Sequence, residues 1–232
     1  MLPWIDRPEQ FPPVSHALQE PGGLLAASAH VTPEWLLAAY RQGIFPWFNP
    51  GQPVLWWSPD PRMVLLPEQF HLPHSLERTL RKRPFEIRSD SAFEAVMRGC
   101  AQPRDGQVGT WIDETMIAAY RGLHAMGLAH SIEAWTDGEL VGGLYGVALG
   151  RAFFGESMFA RRSDASKIAL THLVRRMQQI GFELLDCQMY TSHLARFGAQ
   201  EIPRAEFGER LARAVAAAAP AWQTGVMHDG YA

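Results

Sequence analysis

Apolar residues recur along this chain in separate blocks, some at helical spacing and some alternating. Near the N-terminus, Leu36, Leu37 and Tyr40 fall on the inward side of a short helix. Thr32 is its expected N-cap, Pro33 its first helical residue and Gly43 its stop. Proline and aromatic residues punctuate the rest of the first 60 positions, and Trp56-Trp57-Ser58-Pro59-Asp60-Pro61 reads as a crossing into a second unit. Beyond it the pattern predicts a strand at 63–66, a basic helix at 74–83 and a helix at 91–98 behind Asp90. Asp113 is placed to cap a helix whose Met116, Ile117, Tyr120, Leu123 and His124 share one face before Gly127. Alternating segments at 131–135, 140–149 and 152–159, joined at Asp137-Gly138 and Gly150-Arg151, predict a meander. Ser163 or Asp164 then caps a helix with Leu170, Leu173, Val174, Met177 and Ile180 on its apolar face, ended by Gly181. A strand at 182–189, a short helix from Thr191 or Ser192 to Phe197 and a last helix through 206–219 complete the reading. This order implies an α+β fold: a small N-terminal domain at 1–61 and a domain at 62–232 with helices on a mostly antiparallel sheet.

Composition narrows the class. With 232 residues, 47% hydrophobic and 19% charged, the chain can bury a substantial core. A net charge of −3 argues against a protein that coats nucleic acid indiscriminately, yet leaves room for a local basic patch. The most apolar stretch, 140–154, holds several glycines and Arg151 and falls short of the roughly 20 residues a membrane-spanning helix needs. Positions 1–14 lack the basic start and apolar run of a targeting signal. Cys100 and Cys187 form neither a metal spacing nor a disulfide framework, which fits a reducing cytoplasm. The nine histidines show no metal pattern, so neither metal nor cofactor is expected.

Polar residues inside apolar strands mark the candidate chemistry. Asp186 and Gln188 alternate in the segment 182–190 and would project together, roughly 7 Å apart along the strand, with Cys187 opposite. A carboxylate and an amide are costly to bury there without partners; the bland alternative is a strand end meeting water. Glu156 lies in a second apolar strand beside Gly155, whose missing side chain allows close approach of a ligand. Most of the aromatics read as core. Trp47 differs, because a loop rich in glycine and proline suits a stacking platform better than a core position. Arg78, Arg81, Lys82 and Arg83, with Arg88 nearby, make the densest basic run; Arg161, Arg162 and Lys167 make a second. Either is a solvated face or a phosphate site. No Gly-x-Ser-x-Gly elbow is present to support a serine hydrolase.

The segments Leu36 through Phe48, Trp56 through Arg62, Thr110-Trp111-Ile112, Ala129 through Glu133, Leu140 through Gly146, Gly155-Glu156-Ser157-Met158-Phe159, Ala165-Ser166-Lys167 and Asp186-Cys187-Gln188 together resemble the leucyl/phenylalanyl-tRNA–protein transferase family. They run in order over nearly the whole chain. The resemblance implies a C-terminal domain with the fold of the GNAT acyltransferases. It also implies transfer of Leu or Phe, and less of Met, from aminoacyl-tRNA to proteins beginning with Arg or Lys, which marks them for N-end-rule degradation. By the same resemblance, Trp47 and Trp111 would sandwich the terminal adenosine, with Tyr40 also on the substrate side. Leu144, Phe153, Met158, Leu170, Leu173 and Met177 would line the donor side-chain pocket. Asp186, Gln188 and Glu156 would surround the ester and the amine, while Arg78, Arg81, Lys82 and Arg83 would meet tRNA. A monomer is expected, with no membrane partner.

The donor is already an activated ester, and an α-amine has an unperturbed pKa of roughly 7.7–8.0. Positioning can supply about 7–11 kcal/mol, so no strong base is required. Asp186 and Gln188 are therefore expected to hold and orient the amine, and the anionic pair Asp186–Glu156 suits an Arg or Lys acceptor. Asp186→Ala is expected to abolish most transfer while leaving the fold intact. The alternatives are an acetyl-CoA-dependent N-acetyltransferase of the same fold and a non-enzymatic RNA-binding module. The first lacks a glycine in the loop 160–166 before the long helix, where a pyrophosphate would be gripped. The second has no need of Glu156, Asp186 and Gln188 in apolar strands.

Overall fold

A computed structural model describes residues 1–103 and 112–227. The fold is α+β. A three-stranded antiparallel sheet is formed by β1 (Leu24–Ser28), β2 (Phe45–Pro46) and β3 (Val54–Trp57), in the order β1-β3-β2. Helix α1 (Pro33–Tyr40) connects β1 to β2 and starts with Pro33 at its first turn. The Thr32 hydroxyl donates to Glu34 rather than capping the helix.

The second sheet has eight strands. In chain order its elements are β4 (Arg62–Leu65), α2 (His74–Arg81), β5 (Glu86–Ser89), α3 (Phe93–Cys100), α4 (Glu114–Ala125), β6 (Ala129–Thr136), β7 (Glu139–Leu149) and β8 (Ala152–Ala160). They are followed by α5 (Ala165–Ile180), β9 (Leu184–Gln188), α6 (Ser192–Ala195), β10 (Gln200–Ile202), α7 (Arg204–Ala216) and β11 (Gly225–Val226). The strand order is β10-β4-β9-β8-β7-β6-β5-β11. The sheet is mixed, because β8 and β9 run parallel while the other pairings are antiparallel. A parallel neighbour needs a crossover, and α5 supplies it.

One face of this sheet packs against α3, α4, α7 and the N-terminal elements, in a core that includes Trp35, Tyr40, Trp56, Tyr120, Tyr145, Phe154 and Phe207. The other face carries α2 and α5 over Leu76, Leu80, Ile132, Leu144, Phe153, Leu173 and Met177. The Asp113 side chain accepts the Met116 backbone N–H at 2.9 Å, as the sequence predicts for that cap. Asp164 does not cap α5. It adopts φ +65°, and its carboxylate takes Lys167 Nζ at 2.6 Å. Asp90 does not cap α3 either, since Glu133 accepts the Ala92 N–H while Asp90 accepts from Ser131 N and pairs with His130.

Candidate functional site

Two irregularities in the large sheet build the site. The first is a β-bulge in β8. Tyr145 pairs with Ser157 and Gly146 with Gly155, so Glu156 is the extra residue with no partner across the ladder. A bulge re-aims side chains and resets the alternation of faces. Phe154 and Phe159 accordingly join the same core although they are an odd number of positions apart, and Met158 packs with the opposite core. Gly146 is required opposite the bulge, because a Cβ there would lie 2.2 Å from the Phe154 carbonyl oxygen.

The second irregularity is the end of β9. Its parallel pairing to β8 runs through Phe154–Asp186 and then stops. Gln188 sits at φ +64°, in the left-handed region. The alternation that would project Asp186 and Gln188 side by side therefore breaks at Gln188. The two strands part, and Gln188 Nε2 donates to Glu156 Oε1 at 3.0 Å across the gap.

A cavity of about 380 Å³ opens there. Leu144, Met158, Leu170 and Leu173 form an apolar wall, Phe45 and Pro46 of β2 and Trp47 just after it come from the N-terminal part, and Thr191, His193 and Leu194 close another side. Glu156, Asp186 and Gln188 border it. Trp47 is 42% exposed, its ring 5.6 Å from that of Trp57, whose indole N–H holds the Trp47 carbonyl at 2.7 Å.

Several residues expected at the substrate stand elsewhere. Phe153 and Met177 are fully buried and do not border the cavity. Phe153 lies where β8 and β9 are still paired, opposite Leu185, and Met177 lies about one helical turn beyond Leu173. Tyr40 is also fully buried, and its hydroxyl donates to Glu156 Oε1 at 2.6 Å. Trp111 lies outside the described residues. Arg78, Arg81, Lys82 and Arg83 are exposed at and just beyond the end of α2, although Arg81 is partly engaged by Glu77 at 2.8 Å.

Glu156 is the electrostatic centre. Tyr120 donates to its Oε2 at 2.7 Å and Tyr40 to its Oε1. Desolvation pushes its carboxyl up from the usual 4.5 to about 7. The two phenols and Arg62 pull the other way, and the Asp186 charge adds to the rise. Burial, with the Glu156 charge, raises both phenols well above their usual range, so they remain donors.

Asp186 is held differently. Its Oδ1 accepts Arg62 Nε at 2.8 Å and its Oδ2 accepts Arg62 Nη2 at 2.6 Å, with both side chains fully buried. Oδ1 also accepts the Gln188 backbone N–H at 2.9 Å. Where the sequence suggested an anionic pair, Arg62 compensates the Asp186 charge, and among the described residues Glu156 has no ion-pair partner. Burial raises the Cys187 thiol, with the Asp186 charge adding, which disfavours a thiolate nucleophile. Arg62 and Tyr120 were missed as site residues. The available signal for Arg62 was a charged residue opening an apolar strand, straight after Pro61.

Residues 64–212 match the family described as leucyl/phenylalanyl-tRNA protein transferase, and residues 29–60 match its N-terminal domain. The chain belongs to that family. It is 63% identical to the leucyl/phenylalanyl-tRNA–protein transferase of Nitrosomonas europaea over 201 residues, covering 87% of this chain and 85% of the relative. The transferase of Nitrosospira multiformis is 60% identical over 91% of each chain. That of Bordetella petrii is 54% identical over 97% of this chain and 92% of its own. Among solved structures, L-PGS from Bacillus licheniformis covers 87% of this chain and 66% of its own, at 10% identity and a TM-score of 0.39, a likeness that carries no argument. The acetyl-CoA-dependent alternative gains no support from these transferase relatives.

Proposed function

We propose that this chain transfers leucine or phenylalanine, and less readily methionine, from aminoacyl-tRNA to the N-terminal Arg or Lys of acceptor proteins. The observation that carries this reading is the Glu156–Gln188 pair spanning the parted strands at the edge of a cavity with an apolar wall. Leu144, Met158, Leu170 and Leu173 are suited to an aliphatic or aromatic side chain, and Trp47 to the terminal adenine. Glu156 and Gln188 hold the incoming amine. The amine nitrogen bonds to the ester carbonyl carbon, the ester C–O bond breaks, and the proton lost from nitrogen passes to the departing ribose oxygen. A carboxyl poised at about 7 can accept and return that proton near neutral pH. The same carboxylate attracts the positive charge of an Arg or Lys acceptor. Asp186 supports Gln188 from beneath.

The parallel β8–β9 pair, opening around the cavity, favours a GNAT-like organisation of residues 62–232, with a small domain at 1–61 whose sheet ends at Trp57. Cys100 and Cys187, neither in a disulfide among the described residues, suit a cytoplasmic protein, and we take it to act as a monomer. Among the described residues no helix is long and apolar enough to cross a membrane. Incubation with labelled Leu-tRNA and an Arg-starting peptide, beside acetyl-CoA, tests the reading. Labelled peptide from the tRNA donor supports it, and acetylated peptide alone overturns it.

Trp47→Ala should weaken a minimal aminoacyl-adenosine by the roughly 1–3 kcal/mol of one lost stack, and charged tRNA by a similar amount. Unchanged affinity for the minimal donor would remove Trp47 from the binding site. For the basic end of α2, neutralising Arg78, Arg81, Lys82 and Arg83 should weaken full-length tRNA and flatten its salt dependence by about one unit of slope per phosphate contact. Transfer from aminoacyl-adenosine should stay nearly unchanged, since that donor has no distant phosphates. Equal losses for both donors would show that this helix supports the fold instead.

A further inference from the structure

Asp186 is anchored at the cavity by a residue that the transfer reading above does not use. Arg62 opens β4 and is fully buried. Its guanidinium is clamped between the Phe45 ring, 4.8 Å away, and the Phe207 ring, 4.7 Å away. Its Nε and Nη2 donate to the two Asp186 oxygens. A buried ion pair is a poor device for stability alone, because desolvation offsets much of the Coulombic gain. What the fork does provide is direction. A planar bidentate contact fixes the carboxylate plane, which a single ammonium cannot do.

That direction is passed to the reacting edge. Asp186 Oδ1, already fixed by Arg62 Nε, accepts the Gln188 backbone N–H at 2.9 Å. Gln188 is thereby held at φ +64°, a conformation that residues with side chains rarely adopt without outside support. From this turn its amide reaches Glu156 across the gap. Phe45 belongs to the small sheet and Phe207 to α7, so two separate elements set where the guanidinium stands.

We propose that Arg62 is a positioning residue for transfer: through Asp186 it fixes the left-handed turn at Gln188, and so the Gln188–Glu156 edge that holds the acceptor amine. The inference rests on the transfer reading above and adds a residue to it.

The test uses the full-length protein and its R62K, R62M, D186N and R62M/D186N variants. Steady-state transfer from Leu-tRNA to an Arg-starting peptide is measured beside thermal melting. R62K keeps the charge but loses the fork. It should lose at least about tenfold in kcat, while its KM for Leu-tRNA stays within about twofold and its melting temperature near wild type. The double variant should be no slower than the slower single one, because both changes cut one path. R62K transferring at the wild-type rate, a loss confined to KM, or single losses that multiply in the double variant would each overturn the proposal. If R62M or D186N unfolds, R62K alone decides. If R62K unfolds, the proposal also fails, since the pair then serves the fold. A wild-type protein that transfers no leucine refutes the transfer reading itself, whereas an active wild type with an unimpaired R62K refutes only the role of Arg62.

Discussion

Glu156→Gln should slow transfer by about a hundredfold or more and, above neutral pH, should make the protein more heat-stable. The two effects share one cause. Glu156 is placed on a bulge among Tyr40, Tyr120 and Gln188, where desolvation raises its carboxyl from 4.5 to about 7. Below pH 4.5 the group is protonated in both folded and unfolded chains and does not favour either. Between 4.5 and about 7 the unfolded chain ionises first, so stability falls as pH rises, and above that window the loss is constant. Glutamine does not titrate. The melting temperature of the variant should therefore run close to wild type near pH 4.5 and exceed it by a few degrees at pH 8. In kinetics, kcat/KM for the peptide should rise through about pH 7 as Glu156 ionises. It should rise again at roughly 7.7–8.0 as the acceptor amine loses its proton, and only the second rise should survive in the variant. Transfer at the wild-type rate would remove Glu156 from the chemistry. A melting difference that is constant from pH 5 to 8 would refute the account of its burial.

Asp186→Ala should abolish transfer and also destabilise the fold by about 3–5 kcal/mol, which reverses the expectation drawn from sequence. The sequence shows a small side chain in a strand, and removing one usually leaves little cavity. The structure shows that the alanine variant would strand the fully buried guanidinium of Arg62 between two phenyl rings. An uncompensated buried charge accounts for most of the expected loss. For a chain of this size the melting temperature should fall by roughly 6–20 °C. Converting both partners, as in Arg62→Met with Asp186→Asn, should recover much of that stability without recovering activity. A folded Asp186→Ala protein that melts with wild type would show that the ion pair contributes nothing to the fold.

The secondary structure was legible wherever a local rule decided it. Asp113 caps α4 because its side chain reaches the Met116 N–H three residues on. The turn at Asp137-Gly138 has both residues at positive φ, as two-residue hairpins demand. The strands β1, β2, β3, β5, β10 and β11 are not legible in the sequence, being short segments stabilised by partners elsewhere in the chain: Leu24–Ser28 pairs with Val54–Trp57, and Gly225–Val226 with Glu86–Ser89. The parallel placement of β9 beside β8 was equally hidden, because it depends on how α5 packs across the sheet.

The site divides along the same line. By itself, the sequence determined that Glu156, Asp186 and Gln188 are polar groups in apolar strands, since alternation and the cost of burying charge are local in origin. It also determined the aromatic loop that carries Trp47 and the family to which the chain belongs. Only the tertiary structure decided what surrounds each group. The bulge that frees Glu156 is a property of the register between β7 and β8. The pairing of Asp186 with Arg62 joins residues 124 positions apart, and the Tyr40 and Tyr120 hydroxyls reach Glu156 from two different helices. Charge state and orientation are set by what surrounds a side chain in space, and a chain written in one dimension does not carry those distances.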